Sequence, residues 1–469
     1  MSKGYSITHM IINLLNKIHT SHSSLRIALV SERRKHLPAN NKFWGQIYSN
    51  IMEIEKLLIT INFIEKFLLN TRNYTSIKSY LDLVTYWKFW NKKSSERIIF
   101  ESKKFFFSSH KEKRLFFSYL ELINNFTLNQ IFEEAHNPAE KWSITNSLPI
   151  LLYTMLSKDY SIKELNLLGK WSNTLKPRYI WINNQENDYT SLINKIRLKT
   201  SLLEIASVNK AFIVSSKIPI QGLEEYKRGK VLIQDLGATI ISQLVPKVSG
   251  IIIDLCASPG NKTVQIFDKY TQFEDCTIFA GDLPGSRYNM LMKRLPFLLQ
   301  TIDQETHSKN PNKLEISKNS KKIVVQTWDG TNLSFDDNFA DLVFIDAPCT
   351  GSGTMNSKPD VRLQLDEQFI LKHVEIQKKL LLESNRILKS EGFLFYTTCS
   401  LLKEENENQI SSFLLNFPNY SVVPLYHKLN YSKLIIDGSI KLFPPLSKTD
   451  GFFAILLKKN KKMNILGNN

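Results

Sequence analysis

Apolar positions in the first third of the chain recur at helical spacing. Ile12, Leu15 and Ile18 mark one stripe, and Ile51, Ile54, Leu57, Leu58, Ile61 and Ile64 mark another. Gly and Pro are sparse up to about residue 170, as a helical bundle requires. Basic clusters punctuate this region at Arg33, Arg34 and Lys35, at Lys103 and Lys104, and at Lys111, Lys113 and Arg114, with Phe105, Phe106, Phe107, Phe116 and Phe117 interleaved. The pattern reads as solvated helix ends over a phenylalanine core, with an RNA-contacting face as the alternative. From 171 to 247 short β-like runs (Arg178 to Asn183, Ala211 to Ser215, Lys230 to Gln234) alternate with polar helical stretches, which predicts a small α+β segment. Beyond Ser249 the alternation becomes regular. Strands are predicted at Ile251 to Leu255, Thr277 to Gly281, Lys322 to Thr327, Asp341 to Asp346, Phe393 to Thr398, Tyr420 to Leu425 and Phe452 to Leu457, with amphipathic helices between them. That order predicts the α/β class, an open, mostly parallel, doubly wound sheet. The polar stretch Gln304 to Lys321 reads as a mobile surface insertion, and no internal repeat is evident. The domains expected are therefore 1–170, 171–247 and 248–460.

Composition narrows the class. A chain of 469 residues holds more than one domain, and 42% hydrophobic with 22% charged residues is a globular balance rather than a disordered one. No window supplies the roughly 20 apolar residues of a membrane helix, and the start lacks a small-residue cleavage site, so a cytoplasmic protein without a membrane partner is expected. Lys and Arg outnumber Asp and Glu, 61 to 44, a net charge of +17 that suits a polyanion such as nucleic acid, although a lysine-rich proteome produces the same excess. The four cysteines, Cys256, Cys276, Cys349 and Cys399, lack zinc-knuckle spacing and are too few for a disulfide scaffold. No metal is expected, and packing or catalysis remains as their role.

In doubly wound sheets ligands bind beyond the carboxyl ends of the strands, so the residues following each strand carry the chemistry. After the first comes DLCASPGNKT. Asp254 ends the strand, and Ser258, Pro259 and Gly260 turn into a helix whose first N–H groups are free. This is no P-loop, because the glycine spacing before Lys262 and Thr263 is missing. The second strand ends in Gly281 and Asp282, a carboxylate suited to ribose hydroxyls, and the third runs into WDG, where Asp329 suits an exocyclic amine. Each aspartate alone is also an ordinary cap or turn residue, but their ordered recurrence points to an adenosine-type ligand. The fourth strand, DLVFID, delivers Asp346, Pro348 and Cys349, and the fifth ends in Cys399, followed by the polar helix LLKEENENQI. One such cysteine reads as a small core hydrophobe; two at adjacent strand exits read as a reactive pair. Such a pair suits activation of a pyrimidine. A thiolate adds to carbon 6 of cytosine, carbon 5 becomes nucleophilic, Asp346 supports ring nitrogen 3 and the exocyclic amine, and a second group assists loss of the carbon 5 proton.

Together DLCASPGNKT, FIDAPCTGSGTM, YTTCS and LFPPLSKTDGFFAILLKK, with YKRGKVLIQDLGATIISQLV before them, resemble the RNA 5-methylcytosine methyltransferases of the RsmB/Nop2/Sun family, over about residues 140 to 460. The resemblance implies a class I, Rossmann-like methyltransferase sheet using S-adenosylmethionine. The cofactor would be held by Cys256, Ala257, Ser258, Pro259, Gly260, Asn261 and Lys262, with Asp282, Arg287, Asp329 and Asp346. It implies Cys399 as the nucleophile, Cys349 for product release, and Lys262 and Asp346 at the reacting base. It further implies a NusB-like helical domain, a small RNA-binding subdomain, and a monomer acting on ribosomal RNA, with transfer RNA as the second choice. The chain departs from the family pattern at three places. Asn261 replaces a second glycine, where a tolerated left-handed conformation would preserve the loop; WINN (Trp181 to Asn184) lacks an arginine; and the arginine expected near Phe443 is absent. These departures leave a non-catalytic RNA-binding or ribosome-assembly factor as the alternative. A methyltransferase for proteins or small molecules finds no amide-clamp motif to support it.

Overall fold

The computed structural model describes residues 6–21, 25–35, 41–70, 74–183, 189–215, 220–270, 276–299, 313–318, 321–430 and 436–461. Residues 1–5 and 462–469, and with them Asn184 and the stretch from 300 to 312, lie outside the described residues.

Helices form where apolar residues repeat with the helical period and where side chains satisfy the free N–H groups of the first turn. Ile12, Leu15 and Ile18 are buried on helix Ile7–Ser21, and Ile51, Ile54, Leu58, Ile61 and Ile64 on helix Asn41–Leu69. Reciprocal capping boxes start Leu128–Glu133 (Thr127 with Gln130) and Ile162–Asn173 (Ser161 with Glu164), while Asn137 caps a helix that opens on Pro138. Phe105, Phe107 and Phe116 gather around Tyr80 at ring separations of 4.9 to 6.5 Å, so these phenylalanines are core, and Phe106 alone of that run turns outward.

By its contacts the chain divides into two compact units, Met1–Thr174 with Met355–Leu365, and Leu175–Thr354 with Asp366–Asn469. The segment Met355–Leu365 interrupts the second unit in sequence and packs within the first. Asn356 contributes, donating from Nδ2 to the Trp171 carbonyl (2.5 Å) and accepting at Oδ1 from Lys56 (3.0 Å), but a second side chain makes most of the bonds. Arg362 is buried, and its guanidinium donates to the carbonyls of Met355 (3.1 Å), Lys56 (2.6 Å), Ser147 (3.0 Å) and Ser172 (2.6 Å) and to Asn173 Oδ1 (2.9 Å). Ser147 follows the helix Pro138–Asn146, and Ser172 lies in the last turn of Ile162–Asn173, so one cation caps two helix C-termini.

In the second unit a small antiparallel sheet comes first: β1 (Arg178–Ile182), β2 (Ser201–Glu204), β3 (Ala211–Ser215) and β4 (Val231–Ile233), ordered β2-β3-β1-β4. The sequence pattern missed β2, an exposed edge strand with no apolar alternation to reveal it. The large sheet contains β5 (Gly250–Asp254), β6 (Cys276–Asp282), β7 (Lys313–Lys318), β8 (Lys321–Thr327), β9 (Ala340–Asp346), β10 (Leu388–Thr398), β11 (Tyr420–Val423), β12 (Ile440–Leu442) and β13 (Phe452–Lys459). Its order is β11-β13-β10-β9-β5-β6-β8-β7, with β12 also on β13. Strands β8, β6, β5, β9 and β10 run parallel, and β7, β11, β12 and β13 are antiparallel to their neighbours, which is the expected mostly parallel α/β sheet. The expectation of a mobile insertion at Gln304 to Lys321 is corrected for part of its length. Lys313–Lys318 is strand β7, held by Leu314 and Ile316, whose buried alternation is hidden in a polar composition. Residues 304–312, 319 and 320 are outside the described residues. Among the described residues no helix is long and apolar enough to cross a membrane, and no group of three or more His, Cys, Asp or Glu is placed to hold a metal ion.

Candidate active site

The carboxyl ends of β5, β6, β8, β9 and β10 carry the residues singled out in the sequence. At β5, buried Asp254 accepts from the Thr263 hydroxyl (2.7 Å), and burial raises its carboxyl to about 7. The following turn returns through Ala257, whose N–H donates to the Gly281 carbonyl (2.9 Å), and through Gly260 at φ +96°. Only glycine takes that conformation without strain, and Leu291 and Leu295 lie 3.2 Å from where a Cβ would stand. Asn261 is the first residue of the helix Asn261–Lys269 and does not have a positive φ. The left-handed conformation expected of it is thus corrected: Gly260 absorbs the turn, and Asn261 needs only helical geometry. Asp254 Oδ1 and Asn261 Oδ1 are both buried acceptors without a partner, so this end of the sheet is built to receive a donor.

Asp282, at the end of β6, is almost fully occupied. It accepts from Ser258 N–H (3.0 Å), from Leu283 N–H (2.9 Å), and from Arg287 through both Nε and Nη2 (2.8 Å each). The Ser258 hydroxyl donates to the Arg287 carbonyl (2.9 Å), which ties the first turn to the second. Beyond β8, Asp329 is exposed and its Oδ1 closes a turn by accepting from Thr331 N–H (2.9 Å) and hydroxyl (2.7 Å). Its neighbour Trp328, which sequence reasoning passed over, is buried. It donates from Nε1 to the Leu255 carbonyl (2.9 Å) and lies so close to Gly281 that a Cβ there would meet the indole at 2.4 Å. Cys256 is half-buried, and desolvation followed by the Asp282 and Asp254 charges pushes its thiol well up, as befits a packed rather than a reactive cysteine.

At β9 the Lys262 ammonium donates to Asp346 Oδ2 (2.5 Å) and lies 5.5 Å from the Phe452 ring centroid. The parallel register pairs Asp346 with Thr397, so the chain just past each residue emerges side by side. Cys349 Sγ and Cys399 Sγ accordingly stand 3.3 Å apart without a disulfide between them. Contact with Cys399, burial and the nearby Glu405 charge push the Cys349 thiol well above its usual range.

The run after Cys399, read in the sequence as a polar helix, is instead a short turn, Lys403–Glu405, leading into the helix Glu407–Asn416, and Glu405, Asn406 and Glu407 are all buried. Of the departures in the sequence, Asn183 is buried and donates to the Gly229 carbonyl (2.8 Å), a structural task, and near Phe443 the basic residue Lys441 is buried against Glu407 (2.8 Å).

Comparison with known proteins gives the relatives of this chain. Residues 241–458 match the family described as 16S rRNA methyltransferase RsmB/F. The chain is 28% identical over 247 residues to the ribosomal RNA small subunit methyltransferase B of Xanthomonas campestris, covering 52% of this chain and 51% of that relative. It is 27% identical over 317 residues to the corresponding protein of Photorhabdus laumondii, covering 66% of each. The alignments thus span about half of the first relative's length and two thirds of the second's. Among solved structures, PH0851 superposes with a TM-score of 0.72 at 20% identity over 97% of this chain and 99% of that one. NSun6 from Pyrococcus horikoshii with SFG superposes with a TM-score of 0.55 at 17% identity over 66% and 98%. Residues 241–458, which hold the strand ends described above, are thus the part of the chain that is similar to the RsmB/F methyltransferases.

Proposed function

We propose that the protein transfers a methyl group from S-adenosylmethionine to carbon 5 of a cytosine in RNA, with small-subunit ribosomal RNA as the first substrate to test. The observation that carries this reading is the pair of thiols 3.3 Å apart at the exits of β9 and β10, on the same sheet end as the Lys262–Asp346 pair. The RsmB/F relatives support the methyl donor and the RNA class.

S-Adenosylmethionine supplies an electrophilic methyl group when bound. The donor set suits it: Asp254 Oδ1 and Asn261 Oδ1 are buried acceptors that lack a donor, as an amino group would provide, and Asp282, Arg287 and Asp329 occupy the next two strand ends. The protein's own residues then divide the work. Cys399, its thiol proton given up to solvent, adds through Sγ to carbon 6; the carbon 5–carbon 6 π bond opens, and its electron pair makes carbon 5 nucleophilic. Lys262 holds Asp346 beside the base, where it supports ring nitrogen 3 and the exocyclic amine. Cys349 Sγ stands 3.3 Å from the attacking sulfur, within reach of the same base. After carbon 5 is methylated, its proton passes to a base at Cys349 and on to solvent, the C–H electron pair re-forms the carbon 5–carbon 6 double bond, and Cys399 Sγ leaves carbon 6 as a thiolate. The target base must be unstacked for a thiol to reach its face.

The test is a denaturing gel for protein–RNA adducts with unmodified small-subunit ribosomal RNA transcript, a transfer RNA transcript and S-adenosylmethionine. A slow band with Cys349→Ala that vanishes when Cys399 is also changed supports the reading. A band that requires Cys349 instead reverses the two roles. Bound RNA and cofactor with no adduct from any variant would favour an assembly factor.

A further inference from the structure

Two consecutive side chains hold the two thiols. Glu405 is fully buried and accepts from Thr350 N–H (2.8 Å), from the Thr350 hydroxyl (2.6 Å) and from Gln377 Nε2 (3.0 Å). Gln377 Nε2 also donates to the Pro348 carbonyl (2.9 Å), so the residues on both sides of Cys349 are tied to one carboxylate. The Glu405 carbonyl is fixed in turn by the Tyr396 hydroxyl (2.7 Å). Asn406, equally buried, does the same for Cys399. Its Oδ1 accepts from the Thr398 hydroxyl (2.5 Å) and its Nδ2 donates to the Ser400 carbonyl (2.9 Å), bracketing the cysteine. Other bonds join the two loops directly, including Gly353 N–H to the Cys399 carbonyl (3.0 Å) and Leu401 N–H to the Ser352 hydroxyl (2.9 Å). None of these selects one thiol, whereas Glu405 and Asn406 each address one.

A buried carboxylate is costly to keep unless it is needed, and here its bonds go to the loop of one cysteine. We propose that Glu405 and Asn406 are separate positioning residues for the proposed reaction, Glu405 setting Cys349 for product release and Asn406 setting Cys399 for attack. The assignment rests on the two-cysteine reading above, and its consequence is that neighbouring substitutions have opposite effects on the covalent intermediate.

The experiment measures adduct yield and methyl turnover on the small-subunit ribosomal RNA transcript for the full chain, with S-adenosylhomocysteine binding as the check on folding. Glu405→Gln should lower turnover by about 10- to 100-fold while the adduct accumulates, because attack proceeds and release does not. In a Cys349→Ala background the same change should alter adduct formation less than about threefold, since its target is already gone. Asn406→Ala should instead lower adduct formation about tenfold or more, in the wild type and in the Cys349→Ala background alike. Where either variant loses S-adenosylhomocysteine binding, Thr350→Val and Thr398→Val remove one bond from the opposite side and carry the same expectations. Equal effects of the Glu405 and Asn406 changes on adduct formation in the Cys349→Ala background, or wild-type turnover in Glu405→Gln, would overturn the assignment alone. Absence of adduct from Cys349→Ala itself overturns the two-cysteine chemistry, and the assignment falls with it.

Discussion

Replacing Arg362 with alanine tests whether one buried cation fastens Met355–Leu365 to the helical unit. Four of its five acceptors lie outside its own segment: the carbonyls of Lys56, Ser147 and Ser172, and Asn173 Oδ1. Leaving a buried acceptor unpaired costs about 1–3 kcal/mol, so four would cost up to about 4–12 kcal/mol if they were independent. They are not, because the chain relaxes and because removing the guanidinium also relieves its desolvation, which is strong enough to lower its pKa to about 9. The net expected loss is about 3–5 kcal/mol, the range for breaking a buried charge network from one side. Arg362→Lys keeps the charge but not the planar fork and should recover only part of it. Urea unfolding followed by tryptophan fluorescence reads the helical unit, where Trp142 and Trp171 are buried. Limited proteolysis within 355–365 should accelerate in parallel. A loss in Arg362→Ala below about 1 kcal/mol, with unchanged proteolysis, would refute the view that this side chain is the fastening.

Two further changes probe buried charge and backbone. Burial, with Asp360 nearby, raises the Glu55 carboxyl to about 8, so the native state holds a proton that the unfolded chain releases near 4.5. Stability should therefore fall as pH rises from about 4.5 to 8. Glu55→Gln should be more stable than wild type at pH 8, with the difference shrinking toward pH 5; thermal melts at the two pH values showing equal differences would contradict this. Gly260→Ala should cost about 1–2 kcal/mol from its positive φ, add a contact with Leu291 and Leu295, and weaken S-adenosylmethionine binding. Calorimetric titration showing wild-type affinity would argue that the Gly260 turn does not shape the cofactor site.

The strands of the large sheet were legible because they are apolar runs of the right length between amphipathic helices, and their ends were legible because loops there carry the ligand-facing residues. β2, β7 and β12 were not, since β2 and β7 are edge strands that need little apolar character and pair mainly through the backbone, and β12 is only three residues long. Glu405 and Asn406 were read as a polar helix because composition cannot distinguish a solvated carboxylate from one buried against three donors.

By itself the sequence determined the periodicities, the order of the strands and the residues at each strand exit, all of which are local in the chain. Only tertiary structure decided that sulfurs fifty residues apart stand 3.3 Å from one another. It alone also decided that Asp282 is clasped by Arg287 and that a segment inside the sheet domain packs with the helices. Those outcomes depend on register and burial, which are set by contacts between distant residues that no local pattern encodes.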